Sequence, residues 1–145
     1  MKKLALMIAL AASGCIPVHE YAGDYEMTYD VVMKLPGKSG NVVAGLADVE
    51  VREGLEQDYL LDFGSSFCRL HGRYIAAETD SEWPYLDIRP QDCWFTTAGK
   101  TFEMSLGGTA TLDHDERFVV VLTGTFDDED TRTRGGATVE LTESW

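Results

Sequence analysis

Two stretches in the second half of the chain alternate with a period of two and mirror each other. Phe102, Met104, Leu106, Gly108, Ala110 and Leu112 share one parity, with Glu103, Ser105, Thr109 and Thr111 on the other. After the polar run from Asp113 to Arg117, the residues Phe118, Val120, Leu122, Gly124 and Phe126 again share one parity. A strand sends alternate side chains to opposite faces, so each stretch buries one face and exposes the other. Reflection about Asp115 sets Leu112 against Phe118, Ala110 against Val120, Gly108 against Leu122 and Leu106 against Gly124. Small side chains meet large ones, which is how a curved sheet fills its concave side. The pattern predicts an antiparallel hairpin within an all-β fold.

The rest of the chain reads the same way. Tyr25, Met27, Tyr29, Val31, Met33 and Leu35 form one apolar parity, broken only by Val32, and Pro36 to Asn41 has turn composition. Val42 to Arg52 is a second strand, with Gly45 read as a bulge where the alternation weakens. Tyr59, Leu61 and Phe63 mark a third, followed by a turn at Gly64-Ser65-Ser66. Phe67 to Thr97 reads as two strands around Thr79-Asp80-Ser81-Glu82. With Asp80 and Ser81 central, Ile75 faces Leu86, Arg69 faces Asp92, Phe67 faces Trp94 and Cys68 faces Cys93. Facing Cα atoms in such a pair lie about 4.5 Å apart at closest, near the short end of disulfide geometry. Pro90 has no ladder donor and predicts a bulge or an edge. Asp127 to Gly136 reads as a charged loop before a last short strand at Ala137, Val139 and Leu141.

These are eight strands with short connections and no amphipathic helix after the first segment. Short connections predict an up-and-down meander, because a Greek-key sandwich needs a long crossing link. Eight antiparallel strands closed on themselves lose both edges, so a small barrel is the expected architecture and a β-sandwich the alternative. Gly23-Asp24-Tyr25 lies where lipocalins carry Gly-x-Trp before their first strand, with tyrosine in place of tryptophan. In this the chain loosely resembles the calycin and lipocalin-like barrels, and the resemblance implies a ligand cavity.

The first residues give an address. Lys2 and Lys3 precede the apolar run Leu4–Ala12, which is too short to span a bilayer core of roughly 30 Å and fits an export signal. Ala12-Ser13-Gly14-Cys15 resembles the lipobox of bacterial lipoproteins. That resemblance implies acylation of Cys15, removal of residues 1–14, and a lipidated tether at 15–20 leading into one domain at 21–145. Ile16 after the cysteine implies, by the same resemblance, sorting to the outer membrane of the cell envelope. With Cys15 used for lipid, Cys68 and Cys93 remain as an even pair in an oxidising compartment, where a structural disulfide is expected.

The formal net charge is −13, and both lysines of the leader count against it. So acidic a surface repels nucleic acid and anionic lipid, which removes polyanions as partners. No cofactor or metal motif stands out. His114 among Asp113, Asp115 and Glu116 reads as a solvated loop, and Asp127-Asp128-Glu129-Asp130 lacks the glycine and glutamate of an EF-hand. No nucleophile–base set follows from spacing, so no catalytic residue is assigned and the chain reads as non-enzymatic. Arg69, His71 and Arg73 share a strand face. Turned inward, Arg69 and Arg73 would meet an anionic group of a ligand; turned outward, they would pair with local acids such as Asp92. The glycines at 108 and 124 suggest room inside. The leading expectation is therefore a lipoprotein barrel holding a small apolar or amphiphilic ligand among Tyr25, Met27, Tyr29, Leu106 and Leu122. The competing expectation is a module that contacts another envelope protein through an acidic face or an exposed edge, with an enzyme third.

Overall fold

The alternating stretches form eight strands: β1 (Gly23–Lys34), β2 (Asn41–Glu53), β3 (Asp58–Asp62), β4 (Arg69–Ile75), β5 (Tyr85–Thr97), β6 (Lys100–Leu112), β7 (Phe118–Asp128) and β8 (Thr133–Glu143). The computed structural model describes residues 21–64, 67–79, 83–112, 115–128 and 132–144. The leader, Cys15, the tether with His19, the turn residues Asp80 to Glu82, and Asp113, His114, Glu129 and Asp130 lie outside them. Every strand pairs antiparallel with its sequence neighbour, and β8 returns to β1, closing the ring. β1 carries that closure, from Gly23↔Val51 to Met33↔Asn41 on one side and from Met27↔Glu143 to Lys34↔Gly136 on the other. The up-and-down ring is the expected architecture, and the sandwich alternative falls.

The predicted mirror about Asp115 is the observed β6–β7 register, including Gly108↔Leu122 and Leu106↔Gly124. Apolar parities face inward: Met27, Val31, Leu61, Leu70, Leu86, Leu106 and Phe118 are fully buried, and no polar side chain is buried among the described residues. The charged parity, such as Asp24, Glu26, Thr28 and Asp30, faces out.

β5 departs from simple alternation. Leu86 and Ile88 point inward, but beyond Arg89 and Pro90 the inward residues are Cys93 and Phe95. The β5–β6 register shifts between Ile88↔Gly108 and Gln91↔Leu106, so the bulge expected at Pro90 is present. It corrects the expected β4–β5 register by one residue: Leu86 faces Tyr74, and Ile75 faces Tyr85. The bulge then restores the count, and Cys68 and Cys93 are disulfide-bonded with Cα atoms 5.1 Å apart. Two residues accommodate the bulge. A Cβ on Gly107 would stand 2.7 Å from Pro90 N, so only glycine fits beneath it. The Gln91 carboxamide takes the place of a missing ladder peptide: Oε1 accepts from His71 N and Nε2 donates to His71 O, both at 2.8 Å.

Two other expectations change. Gly45 is no bulge, since β1 and β2 pair without interruption through Tyr29↔Gly45. The Tyr29 ring lies across Gly45, with Oη 2.6 Å from where a Cβ would be. The run from Asp127 to Gly136 is mostly strand, paired through Asp127↔Arg134 and Asp128↔Thr133. Gly135 occupies an inward position under the Phe126 ring, and the pattern was hidden because that position carries no apolar side chain.

The disulfide closes a loop with a sequence separation of 25. Replacing both cysteines by alanine should lower the unfolding free energy by about 3 kcal/mol in a urea titration. A loss within the error of extrapolation would mean that the stacked Phe67 and Phe95 rings, 4.8 Å apart, hold this loop unaided.

Candidate functional site

The interior is where a ligand was expected, and two aromatic groups occupy its ends. At the end where the chain enters, Tyr21 is fully buried and meets Tyr59, Tyr74 and Phe118 edge-on at 5.9, 6.0 and 6.2 Å. Tyr25 stacks on Phe118 at 4.6 Å and donates a 2.7 Å hydrogen bond to Tyr21 O, while Tyr21 Oη donates to Pro84 O at 3.0 Å. At the far end Tyr29 meets Phe67 edge-on at 5.4 Å, beside the Phe67–Phe95 stack. The five residues expected to bound one pocket are therefore divided. Tyr25 serves one aromatic group and half-buried Tyr29 the other, with Met27, Leu106 and Leu122 buried in the core.

The glycines do not open space between them. A Cβ on Gly108 would land on the carbonyl oxygen of Val121, and one on Gly124 on that of Ser105. Backbone from the neighbouring strand already fills both positions, so these glycines bring β6 and β7 close together. This corrects the expectation of room at 108 and 124.

The basic face also turns outward. Arg69, His71 and Arg73 are exposed, with Arg69 Nε 3.4 Å from Asp62 and Arg73 opposite Asp87 in the ladder. The local acid is Asp62 where Asp92 was expected, and neither arginine reaches the interior. Outside, a hollow of about 530 Å³ is rimmed by Asp24, Glu26, Asp48, Glu50, Asp62 and Gly64. Arg52 lies 2.7 Å from Glu50 and 3.8 Å from Asp62, so part of this acid charge is compensated. Asp127 and Asp128 pair with Arg134 at 3.0 Å and Lys100 at 2.9 Å. Among the described residues no group of three or more His, Cys, Asp or Glu side chains is placed to hold a metal ion.

What sequence reasoning missed is an edge. β3 pairs with β2 only from Glu50 to Glu53, so among the described residues β2 from Asn41 to Val49 has β1 on one side and no strand on the other. In an antiparallel strand every second residue directs its N–H and C=O away from a given neighbour, and here those groups point into the gap. From Val42 to Leu46 the outward side chains are apolar, Leu46 being 76% exposed and Val42 64%, and Asp48 follows as the one outward acid. The signal was present as Val42–Leu46 being apolar on both parities, which read as weak alternation. No protein-family model matches this chain, and neither a curated protein nor a solved structure matches it.

Two measurements test this description. Gly108→Ala should destabilise the fold by about 2 kcal/mol or more through overpacking against backbone, whereas Gly136→Ala, which meets nothing within 4 Å, should be near neutral. Equal urea midpoints for the two variants would contradict the close approach of β6 and β7. Burial, reinforced by the nearby Tyr74 and Tyr59, holds the Tyr21 phenol well above its ordinary range. An acid raised in the folded state gives stability that is present below its unfolded pKa of about 10 and lost as pH rises beyond it. Urea midpoints should fall above about pH 10, and Tyr21→Phe should flatten that fall.

Proposed function

We propose that this chain is a cell-envelope lipoprotein, anchored through Cys15, whose barrel works from its outside as a module for contacting protein. The observation that carries the reading is the bare β2 edge with exposed Val42, Ala44 and Leu46. An unpaired strand with apolar outward residues is a template for another strand, and folded proteins ordinarily cover or charge such edges. The interior favours the same reading. Aromatic groups at both ends and backbone at Gly108 and Gly124 occupy the space that a carried molecule would need. The lipobox-like Ala12-Ser13-Gly14-Cys15 supports the anchor, and the acidic outer wall keeps the domain off anionic lipid and nucleic acid.

The test uses the protein in its own membrane. A photo-crosslinking residue at Leu46 should form an adduct of discrete mass in intact cells, and one at the exposed Val121 on β7 should not. Wild type should partition into detergent, and Cys15→Ser should not. Native mass spectrometry of the extracted protein should show polypeptide and acyl groups only. A stoichiometric apolar ligand, together with no adduct at Leu46, would overturn the interaction reading in favour of a carrier.

A further inference from the structure

The β2 edge has a register in which it complements itself. In an antiparallel pair of β2 strands centred on Ala44, Val42 of each copy faces Leu46 of the other, and Ala44 faces Ala44. These are the exposed apolar residues of the segment. On the other face, Val43 meets Gly45 and Asn41 meets Ala47, which are small or apolar partners. The same register pairs Asn41 to Ala47 of one copy with Ala47 to Asn41 of the other and stops short of Glu50, which faces Asp62 of β3 on that side. No like charges meet, although the chain carries a formal net charge of −13. Shifting the centre to Gly45 would instead set Val42 against Asp48, and shifting it to Val43 would set Leu46 against Gly40. Apolar matching selects Ala44.

We infer that the partner of this edge is a second copy of the chain, joined by a twofold antiparallel β2–β2 contact centred on Ala44. The inference rests on the interaction reading above and names its partner. Twofold pairing uses one surface for both copies and closes on itself, so it covers the edge without building a fibre. A contact made by one strand segment is small, and such interfaces are weak in free solution. Two anchors in one membrane raise the effective concentration of each copy for the other, which lets a small contact suffice.

Ala44 is exposed, so Ala44→Cys tests the register directly without disturbing the core. In membranes holding the full lipidated chain, mild oxidation should convert Ala44→Cys to a covalent dimer several-fold faster than Val121→Cys. Leu46→Cys alone should lag behind Ala44→Cys, and mixing it with Val42→Cys should restore the dimer. Adding Leu46→Lys to the otherwise wild-type protein should weaken association in detergent about tenfold by sedimentation. Equal crosslinking at Ala44 and Val121, or none at Ala44, would overturn the self-pairing. If Leu46 still gave a photo-adduct of a mass other than twice the chain, the edge reading would stand with a different occupant. Absence of both adducts would remove the two together.

Discussion

An eight-stranded ring is narrow, and its width governs nearly everything else in this molecule. The interior of such a ring is just wide enough for side chains or one small ligand. Here aromatic side chains occupy both ends of that space, and backbone stands where side chains at 108 and 124 would be. Bulky residues from opposite walls meet near the axis, and where adjacent strands crowd one another one position is glycine. Gly108 and Gly124 admit neighbouring backbone, while Gly45 and Gly135 admit the rings of Tyr29 and Phe126. Glycine in a strand interior is usually a weakness, because it loses the most chain entropy and offers nothing to bury. Each of these four glycines is the counterpart of a particular neighbour, and that contact offsets the loss.

The same narrowness explains why β3 and β4 are short. β5 must bend to follow the ring, and it does so at Arg89–Pro90, where proline has no donor to lose and Gly107 leaves clearance. Beyond that bend the β4–β5 ladder stops, and contact continues through the Gln91 carboxamide and the disulfide. β4 ends the sequence of paired strands early at the far end, and β3 with it. The bare edge of β2 is thus the other side of the bend in β5, because the strand that would have covered it is used up elsewhere.

Much of this was legible in the sequence where one face is buried and the other is wet. The period of Phe102–Leu112 and Phe118–Phe126 gave the hairpin and its register, since a slip of one residue would turn every side chain over. Pro90 announced its bulge through a missing donor. A turn centred on Asp80 and Ser81 sets Cys68 opposite Cys93, although the ladder nearer the turn runs one residue away from that register. What stayed hidden has a common cause: glycine leaves no mark on a hydrophobic pattern. Gly135 concealed the start of β8, and Gly108 and Gly124 read as empty when their space belonged to atoms distant in sequence. Apolar residues on both faces of Val42–Leu46 were read as noise, because exposure of an edge depends on how far a neighbouring strand extends.

The offset between the two parts of the β4–β5 pairing gives the disulfide a role besides bracing a loop. Cys93 turns toward Cys68 only after the extra residue at the bulge has switched the parity of β5. A nascent sheet that omitted the bulge would direct the Cys93 thiol to the opposite face, away from its partner. The bridge is therefore a marker of strand alignment: it is geometrically open to the chain that carries the extra residue at the bulge and closed to one that lacks it.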